Sequence, residues 1–132
     1  MRNPSKIVAI LNGNLEVTEV LEESLQNEGF KTVSALVSAV SQGKEGVFNF
    51  MKKYNPAVII YDVPPPYESN INLLNFVKVT SGLDSECIII TSTNAKALKK
   101  VEEIDPAVDI IEKPYDLNLL IKKVQEKIKK CS

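Results

Sequence analysis

The sequence predicts an α/β fold in which a five-stranded parallel sheet is doubly wound, with helices on both of its faces. Five short strand-like segments occur along the chain, and those that are nearly continuous apolar runs, such as KIVAIL, are typical of strands buried on both faces of a sheet. The stretches between them carry apolar residues at helical spacing, and alternating strands and helices favour a parallel sheet. The length of 132 residues suits one domain with one core.

The first half of the chain contains two strand–helix pairs. The run KIVAIL at 6–11 is the first strand, and the helix predicted over 15–28 ends at Gly29, a residue that favours helix ends. The β-branched run KTVSALV at 31–37 is the second strand. The second helix ends before Pro56, because proline disfavours helical geometry in the preceding residue. Residues at helical spacing mark the inner faces of these helices: Val17, Val20, Leu21 and Leu25 in the first, and Val47, Phe50, Met51 and Tyr54 in the second.

The second half contains three more pairs. Strands are predicted at 57–62, 86–91 and 107–112, where the sequence reads AVIIYD, ECIIIT and AVDIIE. The fourth helix is predicted over 95–104, and the last helix begins after Pro114 with Asp116 as its N-cap. The inner faces are Leu73, Phe76 and Val77 in the third helix, Leu98, Val101 and Ile104 in the fourth, and Leu117, Leu120, Ile121, Val124 and Ile128 in the last.

Composition and charge exclude several classes of function. A formal net charge of −1 gives no reason to expect nucleic acid or an anionic membrane as a partner. No apolar run approaches the roughly 20 residues that a membrane-spanning helix needs. The chain contains no histidine, which excludes serine–histidine and cysteine–histidine catalysis and histidine metal ligands. We expect residues 1–132 to form a single cytoplasmic domain without a secretory leader.

The cysteines and the lysines of the last helix do not indicate a specific site. Cys87 falls in an apolar run and Cys131 is penultimate, so we expect two reduced thiols and neither a disulfide framework nor a zinc site. The last helix is rich in lysine, which is typical of a solvated face that complements the helix dipole, although a partner surface is the alternative. The lysines are Lys122, Lys123, Lys127, Lys129 and Lys130.

Polar residues follow the predicted strands at the points where they end. Asn12 and Asn14 follow the first strand, Asp62 ends the third, Thr91 ends the fourth and Lys113 follows the fifth. Taken alone, each has an ordinary interpretation. An aspartate at a strand end is usually a turn or cap residue, a threonine there reflects its preference for strands, and a single lysine is usually a surface residue. In a doubly wound sheet, however, the carboxyl ends of the central strands border the functional crevice. We therefore expect an acid, an alcohol and an amine to converge at one edge of the sheet.

Three segments together give the chain a resemblance to the CheY-like receiver domains of two-component response regulators. They are AVIIYDVPPP, IIITS and IIEKPYD, which occur in order and in register with five strand–helix units. The resemblance implies a flavodoxin-like sheet with strand order 2-1-3-4-5. It further implies that Asp62 is the phospho-acceptor, Thr91 the switch hydroxyl and Lys113 the cation that contacts the phosphoryl group. The Lys113–Pro114 peptide would be cis, and enzymatic activity would extend at most to self-phosphorylation and dephosphorylation at Asp62.

The sequence departs from the receiver pattern at the metal site. In the receiver domains that this chain resembles, the first strand normally ends with two adjacent acids that help to hold Mg²⁺. Asn12-Gly13 occupies the matching position here. The remaining ligands would be Asp62, the backbone carbonyl of Pro64 and, weakly, Asn12. Because Mg²⁺ prefers anionic oxygen ligands, we expect weak or absent Mg²⁺ binding and a direct pair between Asp62 and Lys113.

Three functions remain open at this point. The first is a phospho-receiver with a poor metal site, and the second is a pseudo-receiver that binds a partner without phosphorylation. The third is an unrelated flavodoxin-like domain that binds a small molecule, against which the first loop lacks a glycine-rich phosphate cradle. The resemblance implies a sensor histidine kinase or another signalling protein as partner. It also implies a weak homodimer through the fourth helix, the fifth strand and the last helix. The domain would either stand alone or belong to a longer regulator.

Overall fold

The computed structural model describes residues 7–37 and 44–131, which form a five-stranded parallel sheet in the order β2-β1-β3-β4-β5. This confirms the predicted fold class and strand order. The strands are β1 (Ile7–Asn12), β2 (Lys31–Leu36), β3 (Val58–Asp62), β4 (Ile88–Ser92) and β5 (Asp109–Glu112). The helices are α1 (Leu15–Asn27), α2 (Lys44–Tyr54), α3 (Tyr67–Ser81), α4 (Ala95–Ile104) and α5 (Leu117–Cys131).

Two apolar layers cover the sheet, one on each face. Alternate residues of each strand point to opposite faces, so a strand buried on both sides contributes to both layers. Residues of α2, α3 and α4 pack on one face, with Ala9, Ile59 and Ile88 among their strand partners. Residues of α1 and α5 pack on the other face, with Ile10 and Ile60 among theirs. The doubly wound arrangement therefore follows from the near-continuous apolar runs of the strands.

The predicted element boundaries are wrong by a few residues in places. Glu86 and Cys87 belong to a short 3₁₀ turn, Ser85–Cys87, that precedes β4, and β5 begins at Asp109. Lys6, which we placed in the first strand, lies outside the described residues.

Some positions predicted to lie on inner helix faces are exposed. Val20 is 53% exposed and Ile104 is 54% exposed, which contradicts their assignment to the core. In α3, Val77 is buried as predicted, and Leu73 and Phe76 are partly buried and pack against the core. The buried residues of α3 are Asn70, Ile71, Leu74 and Val77.

A disulfide joins Cys87 to Cys131, which contradicts our prediction of two reduced thiols. The two residues are 44 positions apart, but the turn before β4 and the last turn of α5 lie at the same end of the sheet, with Cα atoms 6.0 Å apart. The sequence alone does not indicate this proximity, because the two cysteines belong to elements that are brought together only by folding. An ion pair between Lys130 and Glu86, 2.9 Å long, lies in the same region.

The lysine-rich helix α5 is partly neutralised by acids of neighbouring elements. Asp109 of β5 pairs with Lys127 at 2.9 Å and with Lys123 at 3.4 Å. The basic run therefore includes specific ion pairs as well as solvated side chains. Among the described residues, every helix is too short or too polar to cross a bilayer.

Candidate functional site

The polar residues at the strand ends lie on one face of the sheet. Val8 and Ile10 of β1 face the α1/α5 layer, so Asn12, two residues further, continues the same side. Asp62 follows Val58 and Ile60 in the same way. The parallel registers place Leu11 beside Tyr61, and Asp62 beside Thr91. Asn12, Asp62 and Thr91 therefore form a row across the carboxyl ends of β1, β3 and β4.

The Asp62 carboxylate receives two hydrogen-bond donors at a single oxygen. Thr91 Oγ1 donates to Asp62 Oδ1 at 2.8 Å, and Lys113 Nζ lies 2.8 Å from the same oxygen. Asp62 is 7% exposed and Thr91 is 1% exposed, which leaves little water to weaken these interactions. The structure thus brings together the three side chains that the sequence singled out, and the acid and the amine form a direct, formally neutral pair.

Backbone hydrogen bonds at the ends of β3, β4 and β5 position the side chains of Asp62, Thr91 and Lys113. The N–H of Lys113 donates to the carbonyl of Ser92 at 2.8 Å, which ties the lysine to the end of β4. The peptide bond between Lys113 and Pro114 is cis. The N–H of Val63, directly after Asp62, donates to the carbonyl of Thr91 at 2.8 Å. Asp62, Thr91 and Lys113 are therefore carried by segments that are hydrogen-bonded to one another.

Ser92 fixes the loop that follows the acid. Its hydroxyl donates to the carbonyl of Val63 at 2.8 Å and accepts the N–H of Asn94 at 3.1 Å. Ser92 is fully buried. This role of Ser92 was not predicted from the sequence, in which its position directly after Thr91 was the available signal.

Each residue proposed as a metal ligand already has one oxygen engaged in a hydrogen bond or ion pair. Asn12 Oδ1 accepts the N–H of Asn14 at 2.9 Å, and the side chain of Asn14 in turn caps α1. The carbonyl of Pro64 accepts Asn70 Nδ2 at 2.8 Å. Asp62 Oδ1 is shared by Thr91 and Lys113. An ion of the Mg²⁺ type needs about six oxygens in near-octahedral geometry. The donor set present does not fit it.

The described part of the chain holds no ready-made cluster of metal ligands. Within residues 7–37 and 44–131, no three acidic, cysteine or histidine residues lie closely enough together to hold a metal ion. The cleft contains the ion pair of Asp62 with Lys113.

The charge of Asp62 affects two tyrosines. Burial raises the pKa of the Tyr115 hydroxyl, and the negative charge of Asp62 raises it further. The pKa of Tyr61 is raised for the same two reasons, and its hydroxyl donates to the carbonyl of Asn70 at 2.9 Å. Sequence reasoning missed Tyr115 as a neighbour of the site. Its position two residues after Lys113, on the same loop, was the available signal.

Known structures with this fold include response regulator receiver domains. The receiver domain of the Francisella response regulator 1452 is 21% identical with a TM-score of 0.72, and the match covers 98% of this chain and 100% of that chain. A response regulator receiver protein from Pseudomonas putida is 22% identical with a TM-score of 0.70, over 95% of this chain and 99% of that chain. No family model and no curated protein sequence matches the chain.

A designed protein shares the architecture as well. A de novo designed Rossmann 2x3 fold protein is 19% identical with a TM-score of 0.65, over 96% of this chain and 93% of that chain. The chain has the fold of response regulator receiver domains. Because a designed protein also has a similar fold, function has to be argued from the site.

Proposed function

We propose that the chain is a signal-transduction receiver domain in which Asp62 accepts a phosphoryl group. The observation that carries this proposal is the shared contact of Thr91 and Lys113 with one oxygen of Asp62. Phosphoryl transfer depends mainly on positioning and on neutralising charge on the equatorial oxygens. A hydroxyl donor and an ammonium beside the carboxylate supply those two elements.

In the proposed step, a carboxylate oxygen of Asp62 attacks the phosphorus of a phosphohistidine donor. The new O–P bond forms as the P–N bond breaks, and the leaving imidazole takes up a proton from solvent. Asp62 Oδ2 is the better placed oxygen, since Oδ1 is held by two donors. Once the phosphoryl group arrives, Lys113 and Thr91 would transfer their contacts from Oδ1 to phosphoryl oxygens. Hydrolysis of the acyl phosphate would return the site to its present state.

We propose that Mg²⁺ binds weakly or not at all, so that phosphorylation is slow. The engaged oxygens of Asn12 and Pro64 support this, as does the formal neutrality of the pair between Asp62 and Lys113. Replacing Asn12 and Gly13 with two aspartates should raise Mg²⁺ affinity, because it adds two anionic ligands at the end of β1.

A signalling protein, such as a sensor histidine kinase, is the proposed partner. An open apolar cleft between α1 and the start of α5 supports a protein partner near the acceptor edge. It is lined by Glu16, Val17, Val20, Leu21, Tyr115 and Leu117. A weak homodimer through α4, β5 and α5 is a further proposal, supported by the exposed side chains of Ile104 and Leu119. Neither proposal involves nucleic acid or a membrane.

We place the domain in the cytoplasm, in keeping with a kinase as its phosphoryl donor. The disulfide between Cys87 and Cys131 argues against a strongly reducing compartment, since disulfides are rare in most cytosols. The oxidation state of these cysteines in cells, measured by alkylation under denaturing conditions, would decide between the two arguments.

The second candidate function is a pseudo-receiver that uses the same fold to bind a partner without phosphorylation. One observation favours it, namely that the direct pair of Asp62 with Lys113 leaves the cleft neutral and without a fitting donor set for a divalent ion. The pair of Asp62 with Lys113 would then stabilise the fold, and Asp62 would not be phosphorylated.

A phosphodonor assay separates the two candidates. Incubation with an acyl phosphate, with and without Mg²⁺, should add one phosphate to the intact protein, measured by mass spectrometry. Asp62→Asn should abolish the addition, whereas Asp84→Asn, at an exposed aspartate with no side-chain cap bond, should not affect it. If the protein folds normally and gains no phosphate under either condition, the phospho-receiver is contradicted and the result favours the pseudo-receiver.

A further inference from the structure

We propose that Asn70 is a positioning residue for Asp62, and that it fixes the backbone on both sides of the acid from its place in α3. The inference deepens the proposed function and rests on it, because it names a group outside the cleft that orients the phosphoryl acceptor. The positioning itself is a property of the resting protein, and is tested without phosphoryl transfer.

Asn70 is hydrogen-bonded to the chain directly before and shortly after Asp62. Its Nδ2 donates to the carbonyl of Pro64 at 2.8 Å, and its own carbonyl accepts the hydroxyl of Tyr61 at 2.9 Å. Tyr61 precedes Asp62, and Pro64 follows it by two residues. One residue of α3 therefore holds both segments that flank the acid.

Asn70 occupies a position that would otherwise suit an apolar side chain. It is 8% exposed, and the other buried residues of α3 are Ile71, Leu74 and Val77. Asparagine is a weak helix former, and a buried amide is unfavourable unless it is hydrogen-bonded. Its partner Tyr61 is fully buried, so little water competes for that bond. The bonds to the β3–α3 region therefore account for an asparagine at this position better than packing does.

The loop that follows the acid depends on hydrogen-bond donors from other elements. Residues 64–66 are three prolines, which have no backbone N–H with which the loop could hold itself. Ser92 Oγ donates to the carbonyl of Val63 at 2.8 Å, and Asn70 donates to the next carbonyl, that of Pro64. Loss of the Asn70 donor would release the loop from α3 and leave its connection to β4.

The orientation of Asp62 depends on this backbone as well as on its side-chain contacts. Thr91 and Lys113 hold Oδ1, which leaves Oδ2 as the attacking oxygen of the proposed step. The direction of Oδ2 also follows from the backbone that carries the side chain, and a misplacement of about 1 Å can lower a rate by about 10²-fold. Because Asn70 acts through the backbone, its loss should slow the transfer and leave binding of the phosphodonor unchanged.

Three variants isolate the role of Asn70. Asn70→Asp removes the donor with little change in size, because an oxygen replaces Nδ2. Asn72→Asp, at an exposed asparagine of the same helix, introduces the same charge and is the matched control. Tyr61→Phe removes the second bond by deleting one oxygen, and it keeps the test informative if Asn70→Asp does not fold. Circular dichroism gives the folded fraction of each variant.

The first arm of the test measures the backbone of the resting protein by NMR hydrogen exchange. The N–H of Val63 donates to the carbonyl of Thr91, and its exchange is compared with that of the buried Ile89 in β4, which reports opening of the whole sheet. Relative to Ile89, Val63 should exchange about tenfold faster in Asn70→Asp, the factor that the loss of one hydrogen bond corresponds to. Tyr61→Phe should change it in the same direction, and Asn72→Asp should not change it.

The second arm measures phosphate addition from an acyl phosphate by intact mass, over a range of donor concentrations. Per folded protein, Asn70→Asp should lower the maximal rate by roughly tenfold or more, since it disturbs the alignment of the acceptor. The half-saturating donor concentration should stay unchanged. Asn72→Asp should match the wild-type protein in both quantities.

Two results would overturn the inference. One is an unchanged relative exchange of Val63 in folded Asn70→Asp and Tyr61→Phe. The other is an unchanged maximal rate of phosphate addition although the exchange of Val63 rises. If the wild-type protein gains no phosphate, the proposed function fails, and the first arm still decides whether Asn70 positions the backbone beside Asp62.

Discussion

Reduction of the disulfide between Cys87 and Cys131 should lower the stability of the domain by a predictable amount. The bond closes a loop of 44 residues that contains β4, α4, β5 and α5. In the chain-entropy model, a closed loop of this length contributes about 4 kcal/mol by restricting the unfolded chain. Reduction leaves both sulfur atoms in place, so it creates no cavity to complicate the comparison.

The ion pair nearest to the disulfide is too weak to replace it. The ion pair between Lys130 and Glu86 has side chains that are 63% and 44% exposed, and such surface pairs contribute little. For a domain of 132 residues, a loss of about 4 kcal/mol corresponds to a fall in Tm of roughly 14 °C.

Thermal unfolding followed by circular dichroism, with and without a phosphine reductant, measures the effect. The control is Cys131→Ser, whose Tm should be low in both conditions and indifferent to the reductant. A fall of less than about 3 °C in the wild-type protein, with complete reduction verified by alkylation, would refute the reasoning from loop closure.

Three further predictions follow from ion pairs and charges. Lys113→Met should destabilise the fold by about 1–3 kcal/mol, because it leaves the largely buried Asp62 carboxylate without its cation. Adding Asp62→Asn should restore most of the loss, since it removes the unpaired charge. Urea denaturation in which the double variant is no more stable than Lys113→Met would contradict this. Burial acts to raise the pKa of Asp109, but the hydrogen bond and charge of Lys127 outweigh it and the pKa is lowered. The pair therefore stabilises the fold above the unfolded carboxyl pKa of about 3.9, and this is lost as pH falls through the lower folded pKa. Asp109→Asn should cost a few tenths of a kcal/mol at pH 7 and nothing in strong acid, and a difference from wild type that persists in acid would exclude the ion pair as its cause. Asp62→Asn should lower the pKa of Tyr115 toward its ordinary value, as measured by NMR of the ring carbons, and an unchanged pKa would show that the charge of Asp62 does not reach it.

The architecture was predictable because the central strands β1, β3 and β4 are nearly uninterrupted apolar runs. Runs such as VIIYD are buried on both faces, so their composition alone indicates a central parallel strand. The alternation of side chains then accounts for the site, since residues such as Asn12 and Asp62 continue the α1/α5 face of their strands. The approach of Thr91 to Asp62 could be expected for the same reason.

Other features depend on distances that the sequence does not encode. Helical spacing identifies an apolar stripe, but not how far its margins are covered, which is why Val20 and Ile104 were wrongly assigned to the core. The disulfide joins residues in different elements, whose proximity exists only in the folded chain. The engagement of Asn12 Oδ1 by Asn14 depends on a side-chain rotamer, which no residue pattern specifies.

The most direct test of the proposed phospho-acceptor site follows Thr91 and Lys113 by NMR while an acyl phosphate is added and the intact mass is recorded. The geometry predicts that the Thr91 methyl and the Lys113 side-chain resonances shift together, in proportion to the phosphorylated fraction, and that Asp62→Asn removes both shifts. Phosphate addition with both resonances unmoved, or no addition to the folded protein, would contradict the assignment of these three residues to one phosphoryl-accepting site.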